Sequence, residues 1–119
     1  MKLLVANNSF SILAGSETYY LTLATELVRI GHEVSAYSPL LGIIATKMKN
    51  NGVKCYDKIP NIKFDCIIAS HYHIVDNLRA HFPNTPIISV IHGIIHIVDK
   101  FQKTWALEHP AIKIYQQYE

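Results

Sequence analysis

Cysteine is scarce in this chain. Two in 119 residues, Cys55 and Cys66, cannot make a disulfide framework. Both lie in strand-like apolar stretches, so buried free thiols in a reducing compartment are expected. Charge is sparse as well: 17% of residues are charged and the net charge is +2. The lysines are scattered rather than striped, which excludes the footprint of a nucleic-acid binder. So small an excess gives no argument for anionic membranes, though it does not forbid peripheral association. Long apolar runs are absent. No window approaches the roughly 18 residues of a membrane span, and Lys2–Ala6 is too short for a signal-peptide core before polar Asn7, Asn8 and Ser9. A cytoplasmic location is expected, with the inner face of the membrane left open. There is no internal repeat, low-complexity tract or interdomain linker.

Several catalytic signatures are also missing. No G-x-G-x-x-G follows the first apolar run, which weighs against a dinucleotide dehydrogenase. No G-x-x-x-x-G-K-[ST] is present, which weighs against a P-loop enzyme. There is no Ser/His/Asp signature, and no carboxylate pair can be placed together.

What is present is a core. Half of the residues are hydrophobic, enough to bury the interior of one domain or part of one. The pattern alternates strands with helices. Lys2–Asn7 reads as a strand covered on both faces. A long loop, Asn8–Gly15, leads into a helix from about Ser16 to Ile30. Its stripe is Tyr20, Leu23, Ala24, Leu27 and Val28, Ser16 is its expected N-cap, and Gly31 is placed for a left-handed C-terminal cap. A second strand, His32–Ser38, stops at Pro39. A second helix, Leu41–Asn50, turns Ile44, Ala45 and Met48 inward and stops at Asn51-Gly52. Val53–Tyr56 and Asp65–Ser70 are further strands. Tyr72–His81 is a helix packing through Ile74, Leu78 and Phe82, and Ile87–Ile91 is a β-branched strand. Lys100–Glu108 reads as helix, and Ala111–Tyr118 as either strand or helix. The expected fold is therefore α/β: a Rossmann-like parallel sheet of about five strands in order 3-2-1-4-5, with helices on both faces. In such a sheet ligands bind beyond the carboxyl ends of the strands, where the order reverses. That edge holds Asn7–Gly15, Ser38, Ser70, His71, His92 and Gly93.

Ala14-Gly15-Ser16-Glu17 is the first candidate site. Glycine lets a ligand approach the backbone and tolerates positive φ. The N–H groups of Ser16, Glu17 and Thr18 would then face an anion at a helix N-terminus. The alternative is a glycine that only relieves a tight helix entry. His92 could donate to a phosphate or a sugar hydroxyl, or could simply bond a backbone group at a strand end. His71 and His73, with His92 and His96, could ligate a metal, but the spacing is nonspecific and no metal is expected. Tyr20 reads as packing, while Tyr19 is open to packing or sugar stacking.

The segment AGSETYYLTLATELVRIGHEVSAYS, Ala14 to Ser38, resembles the opening of the family 4 retaining glycosyltransferases of GT-B fold. In these a GG-x-E-like loop and an aliphatic helix precede R-x-GH-x-V. FDCIIASH and PIISVIHG are similar to the family's fourth and fifth strands. The likeness spans roughly residues 1–95. It implies an acceptor-side domain facing a second, donor-binding domain across a cleft. Gly15, with Ser16 and Glu17, would lie near the donor phosphates and the acceptor hydroxyl, and His92 near the donor sugar and its diphosphate. Asn8, Tyr19, His71 and Gly93 would line the acceptor side, with His71 the loosest match. The resemblance further implies a sugar-nucleotide donor, no metal, and a glycan or lipid-linked acceptor. Ala14 stands where the family has its first glycine. The family's E-x(7)-E and donor-phosphate Arg/Lys pair are not found here. Residues 1–119 are thus expected to be a partial N-terminal domain, inactive alone, holding no cofactor by itself and able to self-associate through a truncated edge. The competing expectation is a flavodoxin-like module that binds a small anionic ligand or a protein partner.

Overall fold

The computed structural model describes residues 1–92 and 112–117, with the backbone alone for His92 and for 112–117. The elements are β1 (Lys2–Ala6), α1 (Gly15–Arg29), β2 (Glu33–Tyr37), α2 (Ile43–Asn50), β3 (Lys54–Tyr56), β4 (Cys66–Ala69), α3 (Tyr72–His81), β5 (Ile87–His92) and β6 (Ile112–Gln117). All pairings are parallel, in the order β3-β2-β1-β4-β5-β6. The expected 3-2-1-4-5 sheet is present, and the ambiguous C-terminal run adds a sixth strand beside β5. The helix expected over Lys100–Glu108 lies outside the described residues.

Period-two alternation along the strands divides the core in two. Val5, Val34 and Ala36 face α1 and α2, where they meet Tyr20, Ala24, Ile44, Ala45 and Met48. Leu4, Ala6, Ile67 and Ala69 face α3 and pack on Ile74, Val75, Leu78 and Phe82. Both sheet faces are covered, which is why β1 is almost wholly apolar. Cys55 and Cys66 are free thiols, on strands separated by β2 and β1. Burial pushes both up from the usual thiol range.

The helix stops fall at the expected glycines, while the start of α2 departs from its spacing. Gly31 and Gly52 have φ of 103° and 92°, the left-handed stops that open onto β2 and β3. α2 begins at Ile43 rather than Leu41. Leu41 forms a parallel bridge with Phe10, which holds it extended. A side chain on Gly42 would put its Cβ 2.7 Å from the Ser11 Cα, so the loop after β1 presses directly on the α2 entry. At the other end of the sheet Arg79 closes the turn after α3. Its Nη1 donates to the Phe82 and Pro83 carbonyls at 2.9 and 2.8 Å, and its Nη2 to the Thr85 carbonyl at 2.8 Å.

Arg79→Met leaves those three carbonyls without their donor. It should lower stability by about 1–3 kcal/mol in urea denaturation. Arg79→Lys should recover only part, because an ammonium cannot reproduce the fork.

Candidate functional site

The sheet order reverses between β1 and β4. The chain leaves β1 for α1 on one face and leaves β4 for α3 on the other, so a crevice opens beyond their carboxyl ends. The first residues past the strands are held in the ladder by their backbones. Asn7 N–H donates to Tyr37 O at 3.2 Å, Ser38 N–H to Tyr56 O at 3.1 Å, and Ser70 N–H to Ala6 O at 3.1 Å. All three side chains are buried.

α1 enters this edge without a capping side chain. Its N-cap is Ala14, with φ −114° and ψ 173°. The Ala14 carbonyl accepts from the Thr18 N–H at 2.9 Å and from the Thr18 hydroxyl at 2.8 Å. Two expectations are corrected here. Ser16 lies inside the first turn and is not the N-cap. Thr18 N–H is already the first intrahelical donor, which leaves Gly15, Ser16 and Glu17 to supply the helical N–H groups with no intrahelical partner. Gly15 is the first helical residue and makes no use of positive φ. It is exposed.

A polar chain runs from the strand end into that turn. Asn7 Nδ2 donates to Ser9 O at 3.0 Å and, at a long 3.4 Å, to Ser16 Oγ. Ser16 Oγ donates to Glu17 Oε1 at 3.1 Å. Glu17 is only 6% exposed, and Asn7 Oδ1 is buried with no hydrogen-bond partner. Asn8 is half-buried in the same loop.

Tyr20 links the two sides of the crevice. One turn below the α1 entry, its hydroxyl is 2.6 Å from Ser70 Oγ, just past β4. Its ring packs edge-on against Phe10 and half-buried Tyr19, with centroids 6.0 and 5.2 Å away. Tyr20 is thus core, as its helical spacing indicates, but with a polar tip that the spacing did not reveal. Burial pushes its phenol well above the ordinary tyrosine range, although the Ser70 hydrogen bond works in the opposite direction.

His71 lies across the crevice from Gly15, Ser16 and Glu17, as the N-cap of α3. Its φ of 69° is the only positive value among the described non-glycine residues, a conformation that costs about 1–3 kcal/mol outside glycine. The His71 and His73 rings are 6.0 Å apart. Among the described residues no group of three His, Cys, Asp or Glu side chains is placed to hold a metal ion. The His92 backbone ends β5 at the same edge of the sheet. Its side chain, together with Gly93 and His96, lies outside the described residues.

No protein-family model and no curated protein matches the chain. No helix among the described residues is long and apolar enough to cross a membrane.

Tyr20→Phe deprives the Ser70 hydroxyl of its tyrosine partner in a buried setting and should cost about 1–3 kcal/mol of stability, with the Tyr20→Phe/Ser70→Ala pair costing less than the sum. The folded phenol keeps its proton at a pH where the unfolded one loses it. Stability should therefore fall as pH rises through about 10, and Tyr20→Phe should flatten that fall. Denaturant titrations at pH 7 and pH 10.5 measure both effects. By the same method His71→Gly should raise stability by about 1 kcal/mol, because the glycine relieves the positive φ.

Proposed function

We propose that this chain is the acceptor-side domain of a sugar-nucleotide-dependent, retaining glycosyltransferase of GT-B type. The observation that carries the reading is the α1 entry. An exposed glycine opens the helix whose Ser16 and Tyr20 bond to buried Asn7 and Ser70, at the reversal point of a parallel 3-2-1-4-5 sheet. That is where such a sheet holds a ligand, and the sequence around it is the stretch that resembles the family.

The rim supports the same reading. Ile12 and Leu13 in the loop after β1, Leu40 and Ile43 around the α2 entry, and Tyr72 at the start of α3 are all large, apolar and exposed. They belong to the loops and helix starts at the carboxyl edge of the sheet. An apolar rim around a polar crevice suits a surface that faces a second domain or the lipid part of an acceptor. On this reading Asn8, Tyr19, His71 and Gly93 contact the acceptor, and His92 approaches the donor sugar. The leaving diphosphate is neutralised by basic groups and helix termini, an electrostatic mechanism that needs no metal. The donor domain, and any contact with the cytoplasmic face of a membrane, belong to the same proposal.

The product of the complete gene, incubated with a panel of nucleoside-diphosphate sugars and a lipid extract, should transfer sugar and release nucleoside diphosphate. Gly15→Trp, a bulky residue at an exposed position of the α1 entry, should reduce transfer by about 100-fold or more with little change in thermal stability. A wild-type protein that turns over no sugar nucleotide, or a fully active Gly15→Trp variant, overturns the assignment. A domain that instead binds a small anion or a protein with no turnover would be a flavodoxin-like binding module.

A further inference from the structure

The small net charge of the chain conceals where its charge lies. Residues 34–64 hold five lysines, Lys47, Lys49, Lys54, Lys58 and Lys63, against a single acidic residue, Asp57. That is a larger excess than the net +2 of the whole chain. All five lysines are exposed, and none of them forms a salt bridge among the described residues. The fold gathers them at one end of the sheet, where β3 is the edge strand and α2 leads into it. Glu26, on the neighbouring helix α1, is already held by Arg29 at 2.6 Å. A lysine on an edge strand often does no more than guard it against pairing. Lys54 is enough for that here, and the other four lie off the strand.

Beside this charge stands part of the apolar rim. The outer face of α2, opposite buried Ile44, Ala45 and Met48, runs through Ile43, Thr46 and Asn50, with Lys47 and Lys49 on either side of it. Thr46 turns its hydroxyl back onto the Gly42 carbonyl at 3.2 Å. The loop after β1 is bonded alongside: Phe10 N–H donates to Leu40 O at 2.8 Å and Ile43 N–H to Ser11 O at 3.3 Å. Ile12, Leu13, Leu40 and Ile43 therefore form one group at a corner of the molecule, each at least 51% exposed. A nucleic acid would use the lysines and leave four aliphatic side chains in water. A purely apolar partner would leave the lysines unanswered. An anionic bilayer, charged at its headgroups and apolar beneath them, answers both.

We infer that this corner is a docking surface for an anionic lipid bilayer. Ile12, Leu13, Leu40 and Ile43 enter the acyl boundary, Lys47 and Lys49 meet the headgroups, and Lys54, Lys58 and Lys63 add attraction from further off. The backbone bonds to α2 hold the loop in place before any lipid arrives. Docked in this way, the crevice beyond the carboxyl ends of the strands opens at the headgroup level. The inference gives a surface to the membrane contact raised above, but it rests on charge and exposure and not on the glycosyltransferase reading.

The test is flotation of the complete gene product with vesicles of phosphatidylcholine alone and with equimolar mixed vesicles of phosphatidylcholine and phosphatidylglycerol. The wild type should float with the mixed vesicles, less so as salt is raised. Lys47→Gln/Lys49→Gln should weaken that binding by about tenfold or more, and Ile12→Ser/Leu13→Ser should weaken it by about tenfold as well. All four side chains are exposed, so neither pair should change thermal stability. Lys2→Gln, at the start of β1 and so at the amino edge of the sheet, should bind like the wild type. A wild type that ignores both vesicles, or floats equally with both, overturns the inference. So does undiminished flotation of either double variant. Capture of a DNA duplex with no flotation makes the corner a nucleic-acid surface instead, and a dimer that Ile12→Ser/Leu13→Ser dissociates, again with no flotation, makes it a contact between copies. Sugar transfer without flotation refutes this inference and leaves the glycosyltransferase reading standing, whereas flotation without transfer does the reverse.

Discussion

The hydrogen bond between Tyr20 and Ser70 joins parts of the chain 50 residues apart. One partner is on α1, the other just past β4, and β1 runs between the strands they serve. A crevice at a reversal point has two walls carried by different crossovers on opposite faces of the sheet. Nothing in the ladder itself fixes how far apart those walls stand. The buried hydroxyl pair does so, and it places the α1 entry, Asn7 and His71 in one frame. A hydrogen bond in such surroundings is costly to leave half-made, so the spacing has little freedom.

Most of the fold was legible in the sequence because it follows from periodicity. The stripes on α1 and α2, the continuous apolar β1 and the bounds of α3 could all be read from spacing. What escaped was set by contacts between distant segments. Leu41 has helical spacing, yet it is drawn into a bridge by Phe10, a residue in a stretch that reads as irregular loop. The α1 entry shifted for a local reason. Serine is the better N-cap in isolation, but the Ala14 carbonyl, already engaged twice by Thr18, fixes the start two residues earlier than Ser16 would.

The site was legible in outline only. Topology alone brings Asn7, Ser70 and His71 to the right edge, and the resemblance singles out Gly15, Ser16 and Glu17. Tyr20 was read as packing because a tyrosine on an apolar stripe gives no sign of where its hydroxyl ends. Asn7 gave a signal that could have been used: an amide directly after a fully buried strand has to be satisfied locally or by a ligand. The burial of Glu17 could not be read at all. A glutamate in a first helical turn looks like an ordinary exposed partner of the helix dipole, and nothing in its spacing tells that it is 6% exposed.

The Phe10 bridge has a consequence for how this surface can diversify. The loop after β1 is not one free span. Phe10 N–H bonds to Leu40 O, Ser11 O accepts from Ile43 N–H, and Phe10 O accepts from Ala45 N–H. Its first half is thereby stitched to the α2 entry. Only the short stretch around Ile12 and Leu13 projects outward, so a lineage changing the length of this loop has one place to do so without unpicking a second crossover. New residues there would enter at the rim of the crevice, and its polar floor would keep its form.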